Sequence, residues 1–261
     1  MPLAPPAAKE TAVTFQPWGW RPGPSSPHQS LAAVALGLVA GLLVSACGSN
    51  GEAVKSPQQI LRDTASALTA AKSYEIQGKV PTGSGLGTFT FKVAGANLGE
   101  GQFSLGSLSF QLEEIRGTDY IKSASLWAGV GGGALQGLLA NRWVSVPANN
   151  PLAQQLTNGV AALTSAKQTA AGFTKADTKA TRGHTSTFDG QSVVAVTKGA
   201  STVFVATSGQ PLPIRVTASG GSYLNLSNFN ASFGITAPKP SVSLLDVIAG
   251  LGAGLGSQGR A

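Results

Sequence analysis

Apolar positions along this chain recur with two different periods, and the points where the period changes mark its elements. Ser56-Pro57-Gln58-Gln59 has the form of a helix start. Serine caps the first free amides, proline suits the first turn, and Gln59 stands three residues after the cap. Ile60, Leu61, Ala65, Leu68 and Ala71 then fall on one helical face up to about Lys72. From Tyr74 the period drops to two. Phe89, Phe91 and Val93 alternate with Thr90 and Lys92, and Phe103 and Leu105, then Leu108, Phe110 and Leu112, repeat the pattern. Glycine, asparagine and proline clusters separate these runs, as in an antiparallel meander. Asp119 to Lys122 predicts a further strand after the turn at Arg116-Gly117-Thr118.

The middle of the chain returns to helical spacing. Gly131-Gly132-Gly133 leads into a short helix over Ala134 to Ala140, with Leu135, Leu138 and Leu139 on one side. Arg142 to Val146 reads as a brief strand. Asn149 or Asn150, followed by Pro151, starts a helix carrying Leu152, Leu156, Val160 and Leu163 and ending near Ala170. Strands then resume through Val193–Val196, Thr202–Ala206, Leu212–Val216 and Tyr223–Leu226, joined by Asp189-Gly190, Lys198-Gly199, Ser208-Gly209 and Gly220-Gly221. The pattern predicts an α+β protein: a curved antiparallel sheet of about ten strands, a half-barrel, with a few helices on its concave face. So few helices cannot cover so large a curled sheet, which leaves an apolar interior suited to a small molecule.

Composition narrows the chemistry. Charged residues are 11% of the chain, against about 25% in ordinary soluble domains. The formal net charge is +7, but lysine and arginine are not clustered, so nucleic acid is not an expected partner. The segment from Tyr120 to Ala176 holds Lys122, Arg142, Lys167 and Lys175 and no carboxylate. Lys122, Arg142 and Lys167 are therefore candidates for contact with an anionic head group or membrane surface. His184 is the only histidine beyond residue 47 and has no nucleophile motif near it, so it reads as a loop or strand histidine. Gly129-Val130-Gly131-Gly132-Gly133-Ala134 matches a relaxed dinucleotide fingerprint but lacks the acidic residue that should follow, and is better taken as a hinge. Glu113 and Glu114 are adjacent on a strand and point to opposite faces, so they cannot act on one bond. No catalytic residue, cofactor or metal site is expected, and a hydrolase fails for want of a nucleophile–base pair.

Leu43-Val44-Ser45-Ala46-Cys47 closes an uncharged run from Leu31 and carries the chain's single cysteine. The run has the length of a signal-peptide core and is short of the roughly 20 residues a spanning helix needs. Small residues just before a cysteine have the form of a lipobox. Residues 1–46 are thus expected to be a signal peptide, with a proline-rich leading part. Cys47 is the expected lipidation site, 47–55 a tether, 56–240 the folded domain and 241–261 a loose glycine-rich tail.

The lipobox, the Ser56-Pro57 helix, Gly117 to Lys122, Arg142-Trp143-Val144, the long mid-chain helix, and Val203-Phe204-Val205 through Gly209 to Val216 together resemble the LppX/LprG group of actinobacterial lipoproteins, within the LolA/LolB-like carriers. The resemblance spans about Cys47 to Pro240. It implies a LolA-like half-barrel closed by helices around a cavity for acyl chains. It also implies an envelope protein on the extracytoplasmic face of the cell membrane that binds or ferries lipid or glycolipid, with an envelope transporter as a further partner. A monomer is expected. The expected cavity lining is Phe89, Phe91, Phe103, Phe110, Leu135, Leu138, Leu139, Leu156, Val160, Leu163, Leu212 and Ile214. The competing expectation is a structural or interaction lipoprotein whose core is filled and takes no ligand.

Overall fold

Twelve strands among the described residues form one sheet. The structure, a computed structural model, describes residues 48–83, 85–175 and 179–257. The leader and Cys47 lie outside them. In chain order the elements are α1 (Pro57–Ala70), β1 (Tyr74–Thr82), β2 (Gly85–Val93), β3 (Leu98–Leu105), β4 (Leu108–Ile115), β5 (Thr118–Lys122), α2 (Ala124–Leu139), β6 (Trp143–Pro147), α3 (Pro151–Thr164), α4 (Ala166–Thr174), β7 (Ala180–Phe188), β8 (Gln191–Lys198), β9 (Ser201–Ala206), β10 (Pro213–Thr217), β11 (Tyr223–Ser227), β12 (Ser241–Ser243) and α5 (Leu244–Ser257). The sheet order is β12-β6-β5-β4-β3-β2-β1-β11-β10-β9-β8-β7. It is two meanders joined edge to edge: β1 pairs with β2 on one side and β11 on the other. Every pairing is antiparallel except β12 with β6.

One face of the sheet is apolar because the alternation is strict. Tyr74, Ile76 and Val80 of β1, Phe89 and Phe91 of β2, Phe103 of β3, Phe110 and Leu112 of β4, Ile121 of β5 and Val144 and Val146 of β6 all enter one buried cluster. Leu224, Leu226, Val216, Val203, Val205, Val194 and Val196 extend it across the second meander. The helices supply Ile60, Leu61, Leu68, Trp127, Leu139, Val160, Leu163 and Phe173 from the other side. The opposite sheet face is mostly polar and open, so one sheet face is covered and the other is wet.

α1 starts as expected, with Ser56 Oγ accepting from the Gln59 amide at 3.3 Å. The mid-chain helix is two helices. Ser165 takes an extended backbone (φ −72°, ψ 114°) and its side chain caps α4. The Tyr74 hydroxyl donates to the Thr164 carbonyl at this break. A buried tyrosine with a partner thus takes a carbonyl that helix termination leaves free.

Two expectations about the ends of the domain are corrected. The stretch after Ser49 is not a free tether. Ser49 bridges Ser208, the Asn50 amide donates to the Thr207 carbonyl at 2.8 Å, and Asn50 Nδ2 donates to the Ala206 carbonyl at 2.9 Å. Lys55 Nζ then ties Glu52, at 2.5 Å, to Asp63 of α1, at 2.7 Å. The stretch from Ser241 is not a loose tail: it adds β12 beside β6 and then α5, whose Leu244 is buried.

Candidate functional site

The inner face is built around a row of phenylalanines on three neighbouring strands. Phe89 and Phe103 stack with ring centroids 5.6 Å apart, Phe103 and Phe110 at 4.8 Å, and Phe91 tilts against Phe103 at 5.8 Å. Register puts them there: Phe89 is opposite Phe103, and Phe103 opposite Phe110. Phe91 instead faces Gly101, where a Cβ would lie 2.2 Å from the Thr90 carbonyl oxygen and 2.6 Å from Phe91 itself. The glycine makes room for the ring.

α2 packs on β4 beside this row. Ser123 Oγ caps it by accepting from the Leu126 amide at 3.0 Å. It therefore begins ten residues before the expected start at Ala134. It is broken inside at Gly131 (φ −138°, ψ 20°) and Gly132 (φ 61°, ψ −158°). The second conformation is open essentially only to glycine. Trp127, Leu126, Leu135 and Leu139 are buried, whereas Val130 and Leu138 are about half exposed. No charged residue occurs from Ala124 to Ala140. α2 is therefore an uncharged cover with a break in its middle and apolar side chains on both surfaces. α5, at the same end of the sheet order, likewise exposes Leu245 and Ile248.

The residues expected to line a cavity do not all meet. Phe89, Phe91, Phe103, Phe110, Leu135, Leu139, Val160 and Leu163 are buried in the main cluster, with Leu156 packed partly against it. Leu138 is about half exposed, unlike Leu135 and Leu139 on the same stretch of α2. Leu212 and Ile214 belong to a separate cluster with Val193, Ala206, Phe188 and Phe204. The cause is a bulge. Pro213 pairs with Val205 but Arg215 with Phe204, so one extra residue turns Ile214 to the other face. Of the basic candidates, Lys122 ends β5 and Arg142 precedes β6, at one end of the strands. Lys167 lies on α4 near Thr164, which meets Tyr74 at the start of β1, so it stands towards the opposite end. The three do not form one patch. His184 is exposed within β7, beside a register shift, and the glycine run lies inside α2.

Sequence reasoning missed one feature. Glu114 and Asp119 are cross-strand partners on the inner face, next to the Leu112–Ile121 pair. Asp119 is 3% exposed and its Oδ2 has no partner among the described residues. Burial first, then the neighbouring Asp119 charge, push the Glu114 carboxyl up to about 7, and burial pushes Asp119 up to about 6. The signal was available, since a two-residue turn at Arg116-Gly117 fixes the register that opposes them.

The fold is similar to solved structures of two mycobacterial proteins. One is LprF from Mycobacterium bovis, at 17% identity over 70% of this chain and 96% of that one, with a TM-score of 0.48. The other is the Mycobacterium tuberculosis lipoprotein LppX, at 16% identity over 69% and 98%, with a TM-score of 0.44. No protein-family model and no curated protein matches the sequence.

Proposed function

We propose that this chain is a non-enzymatic, envelope-anchored lipoprotein that takes lipid acyl chains between its apolar sheet face and α2. The observation that carries the reading is the cover itself. α2 is uncharged throughout and is interrupted at Gly131 and Gly132. It packs on β4 beside an aromatic row that would be an ordinary core under an ordinary amphipathic helix. A helix with an apolar outer surface can move away from the sheet without dragging charge across it. Glycine supplies the backbone freedom. Acylated Cys47 would hold the protein at the membrane, on its extracytoplasmic face, and an envelope transporter would deliver or receive the lipid. Among the described residues no helix is long and apolar enough to cross a membrane, which suits a lipid anchor.

The filled-core alternative has its own support: Phe91, Leu139, Trp127 and Val160 are at most 3% exposed, so the layer is closed as it stands. A carrier must therefore open to load. The two readings separate on purification. The Cys47→Ala chain, prepared without detergent, is extracted and its lipids identified by mass spectrometry. A carrier yields acyl lipid in stoichiometric amount; a filled core yields none.

A further inference from the structure

The opposite, polar face of the sheet holds a groove for which acyl binding has no use. Gln77, Thr90, Gln102, Gln111 and Lys122 stand directly opposite one another on the five successive strands β1 to β5. They floor a depression of about 710 Å³. A second one of about 270 Å³ shares Thr90, Gln102 and Gln111 with it and reaches Trp143 on β6. Tyr223 on β11 lines the far side. The two depressions adjoin along this ladder of amides and a hydroxyl, with Tyr223 beside one and Trp143 beside the other. The Lys92–Glu100 ion pair and Glu113 also line the second.

The side chains of that ladder are unspent. Gln77, Thr90, Gln102 and Gln111 make no side-chain hydrogen bond among the described residues, and Lys122 has no ion-pair partner there. Each amide offers two donors and an acceptor with two lone pairs, so neighbouring amides can both give to and take from vicinal hydroxyls. Strands are spaced by about 4.8 Å, close to the rise of one sugar ring in an extended chain, so the ladder presents one amide or hydroxyl per ring. The Trp143 ring offers a face that matches the C–H face of a pyranose ring, while Tyr223 carries the Arg215 guanidinium over one of its faces, 4.5 Å from the centroid. The lining excludes the alternatives. It is too polar for acyl chains, it has too few cations for nucleic acid, and it is a sheet face rather than an edge, so no peptide strand can add to it.

We propose that this face is a second binding site and that it takes an extended oligosaccharide, in solution or as the head group of a glycolipid. Titration of the full chain by calorimetry with cello-, manno- and xylo-oligosaccharides of increasing length tests it. At least one series is expected to bind, with affinity rising with length until the trough is filled. Gln102→Ala should weaken binding roughly five- to tenfold, the loss of a hydrogen bond or two. Thr90→Arg should abolish binding by filling the floor, and Trp143→Ala should weaken it as well. These side chains lie on the wet face, so the melting temperature of each variant should match the parent and separates a lost site from a lost fold. Vesicles bearing a sugar head group, competed with the free oligosaccharide, distinguish the two sources: competition shows that the trough reads the sugar alone. Absence of binding in all three series, or binding that Thr90→Arg and Gln102→Ala leave unchanged, overturns the proposal.

Discussion

At the scale of single residues, the sheet is most constrained where the Phe91 ring needs space. Gly99 and Gly101 lie beneath it, and a Cβ at Gly99 would stand 2.4 Å from that ring. Gly101→Ala should lower stability by about 1–3 kcal/mol, the usual cost of overpacking. Thermal or urea unfolding checks this, and a neutral result would mean that the ring can move. The buried carboxyl pair sets a pH dependence. Glu114 and Asp119 both have carboxyl affinities raised above their unfolded values. The folded state therefore binds more protons than the unfolded state between about pH 4 and pH 7. Stability should be greatest at the acid end of this window and fall as pH rises through it. Glu114→Gln should flatten that slope in a melting series from pH 4 to 8, and an unchanged slope would place its cause elsewhere. The alternation that predicted Phe89, Phe91, Phe103 and Phe110 on one face was plain in the sequence. The opposition of Glu114 and Asp119 needed the turn register as well. The displacement of Ile214 was not legible, because no residue type marks the bulge after Pro213.

At the scale of elements, α2 and α5 show where periodicity runs out. Both are rich in glycine and nearly free of charge, so polar positions do not mark an outer face, and the stripe that revealed α1 is missing. β12 is three residues long and pairs in parallel with β6, a contact that local patterning cannot report. At the break before α4, Tyr74 donates to the Thr164 carbonyl from ninety residues earlier in the chain, which local patterning cannot report either. If α2 is the moving cover, its amides should exchange with deuterium faster than those of β2 to β4, and Gly132→Ala should perturb it through the positive φ of that position. Equal protection of α2 and the three strands would argue against a cover that moves.

At the scale of the whole molecule, the pinned start of the domain sets an orientation. Ser49 and Asn50 are fastened to the turn between β9 and β10. The described chain therefore begins beside that turn. The register carries this end across the sheet to the start of β5 and the end of β6, so both termini of α2 lie at the other end. An anchor at Cys47 would hold the turn end towards the membrane and the α2 end away from it. Asn50→Ala, which removes two carbonyl contacts, should loosen this orientation and expose residues 48–55 to proteolysis without unfolding the sheet. The central claim, that acyl chains enter between α2 and the phenylalanine row, is tested most directly through Trp127, which α2 itself carries fully buried. In a chain beginning at Gly48 and carrying Trp143→Phe, Trp127 is the sole tryptophan. A fatty acid brominated along its chain quenches indole fluorescence only at short range. The account predicts saturable quenching of Trp127, reversed by an unbrominated competitor. Fluorescence unchanged at every concentration would contradict it and leave a filled core.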